Sequence, residues 1–175
     1  MKSTGILRRI DDLGRIVIPK EIRKHLRIRD GEYLEIFINE ETIILKKHSM
    51  INVLDNMAQL CVGAINDVIN SEIIIADRDK VVAVSPNLKK KYLGKKITEH
   101  VEEVILRRES FASNEKIKLN VVEETSEEGY IYIYPIIASG DSIGLIMLLS
   151  YEKDIVESDK KIITFLSNFI SKYIE

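Results

Sequence analysis

A β-rich module of about fifty residues that folds only as a dimer, joined to a larger α+β module with an antiparallel sheet, is the architecture the sequence predicts. Three observations carry it. Apolar residues at even spacing, Ile6, Ile10, Ile16 and Ile18, open the chain and suit pleated strands. From residue 51 the apolar pattern reads helix, strands, helix, strands, helix. Charge divides the same way: residues 1–48 hold 11 basic and 8 acidic residues, net +3, and residues 49–175 hold 15 basic and 20 acidic, net −5.

In "GILRRID" and "GRIVIP" the isoleucines share one strand face, and Arg9, Arg15 and Val17 go to the other, with "DDLG" as the turn between them. Pro19 presets the backbone for a first helical position, and Ile22 and Leu26, four apart, give "PKEIRKHL" a short amphipathic helix. Gly31 supplies the turn in "RDG"; "EYLEIFIN" and "TIILKK" follow as strands around Glu40 and Glu41. A core this small is marginal without disulfides, metal or a partner. Only the partner is open to it, because no cysteine or metal-ligand set lies in residues 1–48.

The second region opens on a wide helical stripe over residues 51–69, from Ile51 and Leu54 through Met57, Ala58, Cys61 and Ile65 to Val68 and Ile69. Two strand-like runs in "SEIIIADRDKVVAVSP" flank a turn at Arg78, Asp79 and Lys80, and a lysine-rich loop or short helix follows. Thr98 is the expected N-cap of a helix in "TEHVEEVILRRE". Strands are expected at "KIKLNVV", "YIYIYPIIA" and "SIGLIMLLSY", the last two joined through Ser139, Gly140 and Asp141, and a closing helix at residues 158–174.

The composition, 45% hydrophobic and 31% charged with three prolines in 175 residues, excludes the disordered and fibrous classes. One cysteine, Cys61, allows no internal disulfide, and no apolar run or signal-peptide core points to a membrane or export, so a soluble, cytoplasmic protein is expected. Catalytic and metal residues are expected to be none. The chain has no nucleophile elbow, phosphate-cradling glycine loop or zinc spacing. His25, His48 and His100 read as surface residues, Asp77 and Asp79 as turn residues, and Cys61 as a small buried hydrophobe.

Arg8, Arg9, Arg15, Arg23, Lys24, Arg27 and Arg29 are different in kind. Residues 1–29 hold 9 basic and 3 acidic residues, net +6. On a small dimer that charge makes a compact positive surface suited to DNA phosphates, and guanidinium can grip phosphate or a guanine edge with two hydrogen bonds.

The run "MKSTGILRRIDDLGRIVIPKEIRKHLRIRDGEYLEIF...ETIILKK" resembles, continuously over residues 1–47, the AbrB-type DNA-binding domain of bacterial transition-state regulators. With the second region attached, the chain resembles the sporulation regulators of that family, which control forespore genes. The resemblance implies a swapped-hairpin barrel over residues 1–50, in which two chains interleave their hairpins. It places DNA-binding residues at Arg8, Arg15 and Arg23, with Lys24 where a second arginine is common, so the charge is kept and the fork lost. Arg9, Lys20, Arg27 and Arg29 are further positions, and the expected partner is AT-rich double-stranded DNA read partly through its shape.

Residues 51–175 resemble a GAF domain, which implies a sheet with packed helices, a homotetramer through residues 51–69 and 158–174, and room for a small-molecule ligand of unknown identity. The Asn-Lys...Phe...Asp-Glu motif of cyclic-nucleotide-binding GAF domains is absent. A tetramerisation platform and a sensor both remain open. The function expected is a DNA-binding regulator of forespore gene expression, activating or repressing, associated with the nucleoid, with no enzyme activity. The rival is an antitoxin-like protein-binding module built on the same barrel.

Overall fold

The computed structural model of the chain describes residues 4–48 and 55–175. Two compact units divide it, Met1–His48 and Ser49–Glu175.

In the first unit α1 spans Lys20–His25, and Pro19 lies one residue earlier than expected, at the N-cap with extended ψ 146°, not at the first helical position. Strands β1 (Leu34–Asn39) and β2 (Thr42–Lys47) pair antiparallel in the register Ile36 to Leu45, Phe37 to Ile44 and Ile38 to Ile43. Glu40, at φ 49°, and Glu41 close the hairpin, as the two-residue turn requires. Gly31, at φ 83°, makes the expected turn ahead of it.

The two strands expected around Ile6, Ile10, Ile16 and Ile18 are not formed within one chain; residues 4–11 and 15–19 carry no strand pairing. The turn between them is present, with Gly14 N–H donating to the Asp11 carbonyl (3.0 Å) and Asp11 N–H to the Arg15 carbonyl (3.1 Å). A strand needs a neighbour to satisfy its backbone, and a single chain offers these residues none. Their side chains are correspondingly uncovered, Leu7 at 95% exposure and Val17 at 73%.

In the second unit β3 (Glu72–Asp77), β4 (Val81–Val84), β5 (Phe111–Ala112), β7 (Glu127–Ala138) and β8 (Asp141–Ser150) make one antiparallel sheet in the order β4-β3-β8-β7-β5; β6 (Ile117–Leu119) also pairs with β7. Helices α2 (Asp55–Asn66) and α5 (Glu157–Ile174) cover one face through Ala58, Val62, Ile163, Leu166 and Ile170, which meet Ile73, Ile75 and Ile146. The 3-10 turn Pro86–Leu88, α3 (Lys89–Tyr92) and α4 (Glu99–Arg107) cover the other, where Tyr92, Ile97 and Ile105 pack on Ile74, Ile131 and Met147. Burial on both faces is why these strands read as unbroken apolar runs such as "EIIIAD" and "LIMLLS".

Thr98 caps α4 as expected, its Oγ1 accepting from Val101 N–H at 3.4 Å while donating to the Asn120 carbonyl at 2.8 Å. The Asp77 carboxylate accepts from the N–H groups of Asp79 and Lys80, both at 2.7 Å, so the turn reading of "ADRDK" holds. "KIKLNVV" forms a strand only over Ile117–Leu119, and β5, two residues long, escapes any periodicity. Of the stripe expected over residues 51–69, residues 51–54 lie outside the described residues.

Candidate nucleic-acid interface

Asp11 organises the turn that carries Arg15. Its carboxylate accepts from Leu13 N–H at 3.0 Å, from Arg15 N–H at 2.8 Å and from Arg15 Nε at 2.7 Å. The hydrogen bonds from Arg15, backbone first, hold the Asp11 carboxyl below its ordinary range. Arg15 is thereby aimed without being covered. Its side chain is 70% exposed, and one edge of the guanidinium is held while the two Nη groups remain for a ligand.

Helix α1 positions Lys20, Arg23 and Lys24, and Arg23, Lys24 and His25 in its last turn also complement the helix dipole. Lys20 and Lys24 are exposed. Arg23 is half-buried: Nη1 donates to Asp30 at 2.7 Å, and its buried Nε has no hydrogen-bond partner. Such a donor is costly to leave unpaired, and an incoming acceptor that draws the side chain outward relieves it. Arg8 and Arg9 are exposed, and Arg27 follows α1 at φ 52° with its carbonyl accepting from Lys47 Nζ at 2.9 Å.

Arg29 is engaged structurally. Its Nη1 donates to Glu32 at 2.7 Å, Glu32 accepts a second bond from Arg29 N–H at 3.0 Å, and Lys47 Nζ lies 3.5 Å from the same carboxylate. This network ties the segment after α1 to the end of β2. Burial pushes the Glu32 carboxyl up, but the Arg29 bonds and the Lys47 charge outweigh it and leave the group below its ordinary value of 4.5. A carboxyl lowered on folding contributes stability above its unfolded pKa that is lost as pH falls through the folded one. The first unit is therefore expected to lose stability as pH drops below 4.5, and Glu32→Gln to flatten that loss, as read by denaturant midpoints at stepped pH. An acid limb unchanged in the variant would assign the loss to other carboxylates.

Asp11, Asp30 and Glu32 are the acidic partners of the candidate arginines that sequence reasoning passed over. The Asp-x-x-Gly of "DDLG" signals an Asx turn, but nothing local marks Asp30 or Glu32 as arginine partners. His25, His48 and His100 are all exposed, and among the described residues no group of three or more His, Cys, Asp or Glu side chains could hold a metal. Cys61 is half-buried and packs against the α2/α5 core.

The second unit contains a hub around Glu127. Its carboxylate accepts from Lys91 Nζ and Tyr92 OH, each at 2.5 Å, and from Tyr151 OH at 3.1 Å, tying α3 to β7 and to the end of β8. Burial raises the Glu127 carboxyl but these three donors pull it net downward, whereas burial and the Glu127 charge both push the Tyr92 and Tyr151 hydroxyls up. The arrangement is self-satisfied and suits a structural clasp. An open cavity of about 420 Å³ lies where Arg108, Tyr134 and Pro135 meet Asn168 and Lys172 of α5. No helix among the described residues is long and apolar enough to cross a membrane.

Comparison with known proteins follows the same division. The family described as "Stage V sporulation protein T C-terminal, transcription factor" matches residues 53–175, and that described as "Antidote-toxin recognition MazE, bacterial antitoxin" matches residues 7–52. Stage V sporulation protein T of Bacillus subtilis (strain 168) is 40% identical over 177 residues, covering 100% of this chain and 99% of that protein. The solved N-terminal DNA recognition domain of the Bacillus subtilis transition-state regulator AbrB is 56% identical over 27% of this chain and 91% of that one; the likeness is one of sequence, the TM-score being 0.24. The GAF domain of the nutrient sensor CodY from Clostridium difficile superimposes with a TM-score of 0.52 at 17% identity, covering 67% of this chain and 83% of that one, which shows a shared fold.

Proposed function

The chain belongs to the stage V sporulation protein T family, and from that premise we propose that it is a DNA-binding regulator of sporulation genes that grips AT-rich duplexes through dimeric barrels built from residues 1–50. The observation that carries the reading is Arg15, tethered by Asp11 yet 70% exposed, in a segment of net charge +6 over residues 1–29. Arg8, Arg9, Lys20, Arg23, Lys24 and Arg27 supply the remaining phosphate and base-edge contacts.

Two features support assembly. The β1–β2 hairpin is apolar and uncovered on both faces, Ile36, Ile38 and Ile43 on one and Phe37 and Ile44 on the other, which suits interleaving with a second copy. On α5, Phe165, Phe169 and Tyr173 form an exposed aromatic row with successive ring centroids 6.4 Å apart. Leu60 and Val68, 74% and 75% exposed, extend the apolar surface of the second unit beyond its core. We assign this surface to the contact that joins two dimers into a tetramer, so that residues 51–175 serve assembly and leave room for a small ligand. Two barrels on one tetramer raise each other's effective concentration on DNA. A regulator of this kind has no catalytic role and works beside the nucleoid of the forespore.

The antitoxin family match over residues 7–52 favours a second reading, a barrel that binds a toxin enzyme. The folded second unit weighs against it, since an antitoxin of that kind needs a segment left unfolded to wrap its target. One experiment separates the two: affinity of the full chain for AT-rich and GC-rich duplexes across a salt series, with molecular mass measured in parallel. A tetramer with steeply salt-dependent binding, stronger for AT-rich DNA, is expected. No binding at low salt by folded protein would overturn the regulator reading.

A further inference from the structure

The acidic second unit carries one sharply basic segment. Residues 78–96 hold seven basic side chains and one acid, Asp79, net +6, while the rest of residues 49–175 holds 8 basic and 19 acidic residues, net −11. The fold concentrates this charge further. Val81 exchanges hydrogen bonds with residues 94 and 95, its N–H donating to the Lys95 carbonyl and its carbonyl accepting from Gly94 N–H, both at 2.9 Å. That clasp sets Lys80 opposite Lys96 across an antiparallel bridge, and Lys80 and Lys89 line one open cavity of about 250 Å³ with Leu93 and Gly94.

Two of the seven are taken up by the fold: Arg78, half-buried, donates through Nε to the Ser142 carbonyl at 2.6 Å, and Lys91 pairs with Glu127. Lys80, Lys89, Lys90, Lys95 and Lys96 have no carboxylate partner among the described residues, and all but half-exposed Lys80 are exposed. Like charges directly opposite on paired strands repel, and an exposed surface ordinarily interleaves them with acids. Folding of the domain gains nothing from this grouping. A polyanion lying across it relieves the repulsion, and the many releasable counterions favour one extended phosphate chain over a single phosphate. Lysine, a flexible point charge without a planar fork, suits contact with phosphates irrespective of base sequence.

We propose that Lys80, Lys89, Lys90, Lys95 and Lys96 form a second, sequence-independent DNA surface on the GAF-like unit, which binds duplex phosphates once the barrel has engaged its site. The proposal rests on the regulator reading above. Covalent attachment makes the second contact intramolecular, so weak phosphate contacts add occupancy that they could not provide alone. The belt also gives DNA one place of approach on a unit whose remaining charge repels it.

The test compares the full chain with its Lys89→Gln/Lys90→Gln/Lys96→Gln variant on a short duplex that holds one barrel's site and on a longer one that runs past it. These exposed lysines leave the fold intact, which an unchanged thermal midpoint verifies. On the long duplex the slope of log affinity against log salt is expected to fall by about 0.9 for each phosphate contact removed, hence by up to about 3 for each protomer whose belt touches DNA, with little change on the short one. Equal slopes for both proteins on the long duplex overturn the proposal, even if Arg15→Ala still weakens binding. Stabilisation of the wild type but not the variant by tripolyphosphate, with DNA slopes unchanged, also overturns it and gives the belt to a small phosphorylated compound. Absence of any DNA binding by the wild type sinks the regulator reading first, and this proposal with it.

Discussion

Arg15→Ala and Arg23→Ala are each expected to weaken DNA binding by at least tenfold per barrel and to reduce its salt dependence. Removing a DNA-contacting arginine costs about 1–3 kcal/mol, and a two-fold symmetric dimer loses two copies at once. Folding should survive the first change. The bonds that close the Asp11 turn run through the backbone of Arg15 and Leu13, which alanine keeps; only the Nε contact is lost, and it is exposed. Arg23→Ala removes an exposed ion pair to Asp30 and a buried nitrogen without a partner, so its stability cost is also small.

Arg15→Lys then discriminates between charge and geometry. Lysine retains attraction to phosphate but cannot hold Asp11 and a two-pronged acceptor together, so a purely electrostatic role would leave affinity nearly unchanged. Partial loss, with the salt slope preserved, is the expected result. Affinities measured across a salt series for both substitutions make the comparison. Unchanged affinity of folded Arg15→Ala protein would remove this residue from the interface.

The ease with which each part was read from sequence follows from the range of the forces that shape it. The second unit was legible because its signals are local or buried. Ile73, Ile74 and Ile75 are apolar in succession and the sheet buries both faces, and Thr98 caps α4 within three residues of its partner. By contrast, β5 is two residues long and is a strand only because Phe111 and Ala112 lie beside Ile133 and Tyr132 of β7. Around the candidate site, the positions of the basic residues and the "DDLG" turn were readable, but their engagement was not. Arg29 and Arg15 look alike in sequence, and only folding shows that Glu32, itself held by Lys47, takes up the first while Asp11 merely aims the second. The first two strands were legible as pattern and are missing as pairing, because no described segment of the same chain pairs with them.

That last difference leads to the sharpest test of assembly, Ile38→Asp. Ile38 is 80% exposed in the single chain and pairs across the hairpin with Ile43, 65% exposed, next to the Ile36–Leu45 pair on the same face. If this face is solvent-bathed in the working protein, a carboxylate there costs almost nothing, as surface substitutions away from packed features usually do. If a second copy covers it, two carboxylates enter the apolar centre of one small barrel, each costing several kcal/mol. A unit of roughly fifty residues has no stability to offset that. The variant is therefore expected to lose barrel pairing and DNA binding together, while the second unit, with its own core and aromatic α5 surface, keeps its fold. Mass would fall from that of a tetramer to that of a dimer held through the second units alone. Glu41→Gln, in the turn of the same hairpin, should change neither property. Retention of tetramer mass and salt-dependent DNA binding by Ile38→Asp would show that the hairpin face stays open to water, and the interleaved barrel would have to be abandoned for this chain.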